Sequence, residues 1–159
     1  MSREILFKAK RKNWRELPKD EWWVEGLPFI QDLDGMEQVC IAHHSISAND
    51  YSEICGENKN WFQIDPETIC QYTGLTEKDG KRIWENDIVV CRQYIGGNFV
   101  DYYIERGFVE MNHGAFGLHR KQGYYRPFKD WLEDYEYEVL GNVFDNSELL
   151  GGVRWEKSD

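Results

Sequence analysis

The chain has 159 residues, and its apolar fraction of 41% is enough to bury the core of a folded domain. The formal net charge of -10 argues against general nucleic-acid binding, because contact with the phosphate backbone requires Lys and Arg to displace counterions. The sequence has no run of about 18 apolar residues that could span a membrane, and its start lacks the apolar core of a secretory signal. We therefore expect a cytoplasmic protein with no membrane contact and with reduced cysteines.

The beginning of the chain carries the opposite charge to the rest. Its basic residues are Arg3, Lys8, Lys10, Arg11, Lys12 and Arg15. A basic arm ahead of an acidic body keeps a local contact with nucleic acid open.

The pattern of residues 1–64 predicts an irregular N-terminal β arm or subdomain. Short strands are predicted at residues 4–10, 22–24, 36–46 and 61–64. The polar stretch 46–59 separates the last two strands and is predicted to be a loop.

Residues 65–150 predict a β-meander. Asp65 is a candidate N-cap ahead of Pro66, and the Asp79-Gly80 pair is typical of a tight hairpin turn. Further strands, separated by Gly-containing turns, are predicted at 88–94, 100–111, 115–119, 124–128 and 136–144. Short strands with few helical periods favour a small closed or partly closed β-barrel, and 151–159 is predicted to be a flexible tail.

Four segments of the chain resemble the YopX family of phage and prophage proteins. They are REILFKAK from Arg3, QYTGLTEKDGKRIWENDIV from Gln71, GFVEMNHGAFGL from Gly107 and YEVLGNVFDNSELL from Tyr137. Within the second and fourth segments the motif positions are Gln71, Thr73, Gly74, Leu75, Asp79, Gly80, Ile83, Glu85, Asp87, Gly141 and Asn142. The chain departs from the family pattern at Lys10, where an aromatic residue is usual, at Asn86, where Gly is usual, and at Ser147, where Pro is usual. Asn86 tolerates the positive φ that such a turn requires.

This resemblance implies a mainly β protein with an SH3-like barrel core, encoded in phages, prophages or other mobile elements. On that basis we expect a single YopX-like domain over 1–150, divided into the β arm 1–64 and the barrel core 65–150. The resemblance makes self-association plausible and transfers no catalytic residues.

Several groups of residues have both a possible chemical role and a structural one. Cys40, His43, His44 and Cys55 supply four possible zinc ligands, but they lack paired-knuckle spacing, and adjacent histidines on a strand point in opposite directions. No local signature selects a nucleophilic Cys–His pair or two carboxylates for a hydrolase. The Gly96-Gly97 pair lacks the residues of a phosphate loop.

Two polar motif residues have a structural and a ligand-binding interpretation. Asp87 and Asn142 each stand at a predicted turn, where a side-chain oxygen commonly accepts hydrogen bonds from local backbone N–H groups. The structural interpretation is favoured. We expect no enzyme activity, no cofactor and no bound metal.

Aromatic residues exceed what a small barrel can hide, so some should form an exposed patch of the kind that marks an interface. We expect a possible interaction surface at Trp84, Tyr102, Arg106, Phe116, Arg120 and Tyr124. A protein partner or self-association is preferred over base stacking because of the acidic total.

The sequence therefore favours a non-enzymatic binding or assembly module of phage or mobile-element origin. A nucleic-acid-associated protein that uses the basic arm and the arginines of the meander is the main alternative. Two others are an acidic mimic of nucleic acid directed at a host DNA-binding protein and an enzyme with an unrecognised site.

Overall fold

The structure is a computed structural model that describes residues 4–43, 61–95, 98–120, 125–128 and 135–151, with the backbone alone at 93–95 and 98–105. The predicted loop 46–59, and the predicted tail apart from Gly151, lie outside these residues. Within the described residues the chain is mainly β and contains no α-helix, only short 3₁₀ turns. No helix in this part of the chain has the length and apolar content that a membrane span requires.

The described residues form eleven strands. They are β1 (Phe7–Lys10), β2 (Trp23–Leu33), β3 (Met36–His43), β4 (Trp61–Gln63), β5 (Cys70–Thr76), β6 (Arg82–Trp84), β7 (Asp87–Ile95), β8 (Asn98–Asn112), β9 (Ala115–Arg120), β10 (Tyr125–Pro127) and β11 (Tyr135–Asn142). The 3₁₀ turns are Trp14–Glu16, Lys19–Glu21, Pro66–Thr68 and Ser147–Leu150.

Two antiparallel sheets contain these strands, in the orders β4-β3-β2-β1-β5-β6 and β10-β9-β8-β7-β11. The chain divides into two compact units, Met1–Tyr72 and Thr73–Asp159, with the boundary inside β5. The mainly β class is confirmed. The orders of the described strands include no closed ring, so the SH3-like barrel stays a prediction.

The first unit is built on a long β2–β3 hairpin. Its small core contains Ala9, Ile41 and Ile64, and an isolated bridge from Arg11 to Ile64 connects the end of β1 with the end of β4. Gly26 allows β2 and β3 to approach closely, since a Cβ there would lie 1.8 Å from the backbone oxygen of Ala42.

The predicted strand at 22–24 is much longer in the structure. The sequence favoured an end to the strand at Val24, because Glu25-Gly26 is typical of a turn and Pro28 follows soon after. β2 nevertheless continues through Pro28, which pairs with Ile41 of β3, while the pairing with β1 already ends at Gly26. Pro28 therefore stands where β2 has lost one of its two neighbours, a position that a strand proline can occupy.

The second unit contains the predicted meander. β7, β8, β9 and β10 follow one another in the sheet, and β11 returns beside β7. The core on one side of this sheet consists of Ile83, Val89, Cys91, Val109, Phe116, Leu118, Phe128 and Tyr137. The pairing of β11 with β7 shifts register between Val139 and Gly141, where the strand bends toward the turn that follows.

Candidate functional site

The first half of the YopX-like motif forms a hydrogen-bonded turn between β5 and β6. The Thr73 hydroxyl, nearly buried, donates to the Ile83 carbonyl at 2.7 Å and accepts the Leu75 N–H at 3.1 Å. Asp79 accepts the Lys81 N–H at 3.0 Å, and Gly80 has a φ of 90°. These residues hold the local backbone. Ile83 belongs to the core of the unit, and the partly buried Leu75 packs against that core.

Asp87 is a buried carboxylate with a structural partner. Asp87 is only 2% exposed, and its Oδ2 accepts the Trp84 N–H at 2.8 Å. The preceding Asn86 adopts a φ of 65°, as the substitution of Asn for Gly requires. The Asn86 N–H donates to the Val109 carbonyl at 2.8 Å, and the Asn86 carbonyl accepts the Val143 N–H at 3.0 Å. This turn therefore connects β6, β8 and the turn after β11.

The Gly141-Asn142 pair stabilises that last turn. The Asn142 side-chain oxygen accepts the N–H groups of Phe144 and Asp145, both at 3.0 Å. A Cβ at Gly141 would lie 2.3 Å from the side-chain oxygen of Asn146. The hydrogen bonds of Asp87 and Asn142 thus agree with their structural interpretation. Of the remaining motif residues, Gln71 pairs with Phe7 of β1 and Glu85 is half-buried in the β6–β7 turn.

The residues expected to form an interaction surface do not share one exposed face. Trp84 is 4% exposed and Phe116 is 9% exposed, which corrects the expectation for these two, because both side chains are buried and Phe116 belongs to the core of the second unit. Arg106 is exposed and donates to the Leu149 carbonyl at 3.0 Å, and Arg120 is half-buried. Tyr124 and the side chain of Tyr102 lie outside the described part of the chain.

Large apolar side chains are exposed elsewhere, at the far end of the β2–β3 hairpin. Leu27 is 52% exposed, Ile30 is 67% exposed and Met36 is 63% exposed. We call residues 27–39 the hairpin tip. The described β1 pairs with β2 only as far as Gly26, and the described β4 pairs with β3 only from Cys40 onward. Within the described strands, the hairpin tip is therefore a two-stranded ribbon from Ile30 to Gln38, whereas Leu27, Pro28 and Phe29 pair with residues of β3 that also pair with β4.

A tight turn closes this ribbon. Asp34 and Gly35 both have positive φ, 56° and 78°, as a type I′ hairpin turn requires. The Asp32 side chain accepts the Gly35 N–H at 2.8 Å. The hairpin tip was not predicted, although an Asp-Gly pair between two apolar runs is a strong hairpin signal.

The basic residues of the arm lie in two different environments: Lys10 is buried, and Arg11 and Lys12 line a surface pocket. Lys10 is 2% exposed, and its ammonium lies 3.8 Å from the centre of the Trp14 ring, 4.6 Å from that of Trp22 and 5.6 Å from that of Trp23. Cation–π attraction of this kind stabilises a desolvated ammonium. Lys10 thus occupies an aromatic environment at the position where the family usually has an aromatic side chain.

The next two basic residues line a cavity of about 580 Å³ in the first unit. We call it the basic pocket; it is formed by residues 11–13, 33–34 and 61–63. The Arg11 guanidinium lies over the Phe62 ring at 4.5 Å from its centre and contacts Glu21 at 3.5 Å. Lys12 donates to the side-chain oxygen of Gln38 at 3.0 Å.

The described thiols are poor nucleophiles. Cys40, Cys70 and Cys91 are buried and form no disulfide, and burial raises the pKa of the Cys40 thiol, with Lys12 opposing the effect in part. In the described part of the chain, no group of three or more His, Cys, Asp or Glu residues could hold a metal ion. Of the four proposed zinc ligands, His44 and Cys55 lie outside it.

A buried acid–base pair is present in the second sheet. Nδ1 of His119 lies 2.9 Å from Oε2 of Glu110, and the imidazole stacks on the Phe108 ring at 4.8 Å. His119 is 2% exposed and Glu110 is 8% exposed. Since solvent hardly reaches either residue, the pair is best explained as a satisfied polar contact between β8 and β9.

These features describe a mainly β protein in which hydrogen bonds of the YopX-like motif residues stabilise the local turns. The chain belongs to the YopX family: the family model described as "YopX protein" matches residues 20–151. Among solved structures, the chain is similar to protein EF1440 from Enterococcus faecalis, with a TM-score of 0.44 and 20% identity over 94% of this chain and 99% of that chain. No curated protein matches the sequence.

Proposed function

We propose that this chain is a non-enzymatic binding or assembly module of a phage, prophage or other mobile element, and that its partner is a protein. The observation that carries this proposal is the exposure of Leu27, Ile30 and Met36 at the hairpin tip. Membership of the YopX family supports the genetic context, because the resemblance to this family implies a protein encoded in phages, prophages or other mobile elements.

The hairpin tip has the properties of a recognition element. Full burial of an aliphatic side chain is worth about 1.5–3 kcal/mol, so covering the exposed parts of Leu27, Ile30 and Met36 contributes about 3–5 kcal/mol. Among the described strands, none pairs with the edges of the ribbon between Ile30 and Gln38, and such an edge can add a strand from a partner through backbone hydrogen bonds. The acidic side chains of Asp32 and Glu37, on paired positions of β2 and β3, discourage indiscriminate edge-to-edge pairing and favour a partner with basic side chains.

Nucleic acid is a less suitable partner for the basic arm. Lys10 is enclosed by tryptophan rings, and Arg11 contacts the carboxylate of Glu21. The arm therefore does not present a continuous row of cations to a long polyanion, and the chain's net charge of -10 repels such a partner.

The second unit is proposed to be the SH3-like core of the module. The meander from β7 to β10, with β11 returning beside β7, supports this arrangement. A non-enzymatic role is supported by the local hydrogen bonds of Asp87 and Asn142 and by the inaccessibility of the His119–Glu110 pair.

The first experiment is a measurement of mass by light scattering behind size exclusion, over a series of concentrations at low and moderate salt. It compares the wild type with the double variant Ile30→Ser/Met36→Ser and with Met111→Ser, a control with a 39% exposed side chain in the other unit. We expect a wild-type oligomer that the double variant weakens and the control preserves.

If the wild type is a monomer, the proposal requires a partner of another sequence. Pull-downs from infected cells then compare the same three proteins, and we expect captured proteins that depend on Ile30 and Met36 but not on Met111. A monomer whose captured proteins are the same for all three variants contradicts the proposal.

A further inference from the structure

Hydrogen bonds around the hairpin tip show which of its backbone groups point away from the ribbon. The Val39 carbonyl accepts the Ile64 N–H at 3.1 Å, so Val39 of β3 directs its backbone groups toward β4 and away from β2. Val39 pairs with Ile30, and this is therefore a pair without mutual hydrogen bonds. Ile30 directs both its N–H and its C=O away from β3, to the side of β2 that we call the outer edge.

Hydrogen bonds at the other end of β2 lead to the same assignment. The Leu6 carbonyl accepts the Tyr72 N–H of β5 at 2.9 Å. The next residue, Phe7, therefore directs its backbone groups toward β2, where it pairs with Gly26. The register of β2 with β3 has no shift between Gly26 and Leu33, so every second residue after Gly26 points to the outer edge. These residues are Pro28, Ile30 and Asp32.

The outer edge therefore offers an ordered set of backbone groups. Ile30 and Asp32 each present an N–H and a C=O, and Pro28 presents a C=O alone. Among the described strands, β1 pairs with this edge only as far as Gly26. An added antiparallel strand makes two hydrogen bonds to each of Ile30 and Asp32 and one to Pro28. Such pairing is centred on Ile30 and Asp32, because Pro28 has no N–H to donate.

Side chains at the outer edge define two positions for an added strand. Ile30 is 67% exposed and Asp32 is exposed, and residues two positions apart in a strand lie on the same face. Their partners on β3, Val39 and Glu37, lie on that face as well. An added strand therefore meets an aliphatic row of Ile30 and Val39 and, beside it, an acidic row of Asp32 and Glu37.

The charge of the hairpin tip favours a basic strand. The tip contains Asp32, Asp34 and Glu37 without Lys or Arg, and the sequence has neither of these residues between positions 20 and 58. Lys12 reaches the tip at Gln38, but Gln38 follows Glu37 directly and lies on the opposite face of β3. A Lys or Arg opposite Asp32 gains a cross-strand pair of opposite charge, whereas the tip of a second copy carries the same carboxylates.

We propose that the outer edge of β2 binds an extended, antiparallel segment of another protein. In that segment a Lys or Arg lies opposite Asp32, and an aliphatic residue two positions later lies opposite Ile30. The inference rests on the proposed function of the hairpin tip and specifies the partner of that site. Leu27 and Met36 lie on the other face of the ribbon, so association of two copies through those side chains does not require the outer edge.

The probe is a phage-displayed library of random peptides of about nine residues, selected on the full-length protein. The charge variant is Asp32→Asn, and its matched control is Asp79→Asn in the other unit. Each asparagine keeps an oxygen for the N–H that the aspartate accepts, that of Gly35 and that of Lys81. Calorimetry measures the affinity of the most enriched peptide, and amide hydrogen exchange locates its binding site.

A backbone variant, Ile30→Pro, separates strand addition from side-chain contact. It removes an N–H at the outer edge and no hydrogen bond to β3, in the way that β2 already accommodates Pro28. The Gln31 N–H points to β3, because backbone groups alternate along the strand. Protection of the Gln31 amide from exchange therefore checks that the hairpin of this variant is folded.

We expect the enriched peptides to share a Lys or Arg two positions before an aliphatic residue. The amides of Ile30 and Asp32 should exchange rapidly in the free protein and slowly in the complex. Asp32→Asn should weaken binding of the best peptide about two- to fivefold, and Ile30→Pro about tenfold or more. Asp79→Asn should bind as the wild type does.

Three results overturn the inference. The first is that no peptide is enriched, or that enriched peptides lack the basic residue. The second is that the amides of Ile30 and Asp32 exchange as fast in the complex as in the free protein. The third is that a folded Ile30→Pro retains wild-type affinity. If Ile30→Ser/Met36→Ser still abolishes association in that third case, the hairpin tip acts through its side chains, and the proposed function stands without this inference.

Discussion

Asp87 and Asp79 provide a direct test of whether burial makes a motif aspartate structural. Both side chains accept a backbone N–H group within the same motif, at 2.8 Å from Trp84 and at 3.0 Å from Lys81. Asp87 is 2% exposed, whereas Asp79 is exposed. The two aspartates therefore differ mainly in whether water can replace the carboxylate once it has been removed.

The expected effects follow from that difference. Asp87→Ala removes a hydrogen bond to a charged group, worth about 1.5–3 kcal/mol, and leaves the buried Trp84 N–H without this acceptor. We expect the free energy of unfolding to fall by about 2–4 kcal/mol, which lowers the Tm of a chain of this size by about 5–15 °C. Asp79→Ala should cost less than about 1 kcal/mol, because water satisfies the Lys81 N–H. Asp87→Asn keeps an acceptor oxygen and should be intermediate.

The assay is urea denaturation, followed by tryptophan fluorescence and by circular dichroism, together with thermal melting. Equal losses of stability in Asp87→Ala and Asp79→Ala would refute the argument from burial. Wild-type stability in Asp87→Ala, accompanied by loss of partner binding, would show instead that Asp87 is a ligand-binding residue.

Two further predictions concern close packing and alkaline pH. Gly26→Ala forces a Cβ to within 1.8 Å of the Ala42 oxygen and should destabilise the first unit by about 3 kcal/mol or more. Gly35 has open space around it but a positive φ, so Gly35→Ala should cost only about 1–2 kcal/mol. Equal losses of stability for the two variants in denaturant melts would contradict this. Burial raises the pKa of the Tyr137 hydroxyl, and Cys91 raises it further. Because an unfolded tyrosine releases its proton near pH 10 while the folded one keeps it, stability should fall as the pH rises above about 10. Tyr137→Phe should lessen that fall between pH 9 and 11, and an unchanged pH dependence of the unfolding free energy would count against the shift.

Local sequence signals were informative where a short segment determines its own conformation. The Asp79-Gly80 pair gave a turn with Gly80 at positive φ, and Asn86 adopted the left-handed conformation expected of a residue that replaces Gly. The β-meander followed from alternating strands and glycine turns. These features depend on contacts between residues a few positions apart, so the order of residues is enough to specify them.

Burial was harder to foresee from the same signals. Trp84 and Phe116 looked like surplus aromatics, and the structure places both in the interior. Glu25-Gly26 looked like a turn that ends a short strand, yet β2 continues to Leu33. In each case the outcome depends on which strand lies beside the residue, and that neighbour comes from a distant part of the chain.

By itself the sequence determined the mainly β class, the family and the turn chemistry, since periodicity and turn residues act over short distances. Only the tertiary structure decided which side chains are accessible. Pairing of β1 with β2 ends at Gly26 and so leaves the hairpin tip exposed, and the bridge from Arg11 to Ile64 brings the basic arm to β4. Exposure and cavities arise from long-range pairing, which no local pattern in the chain encodes.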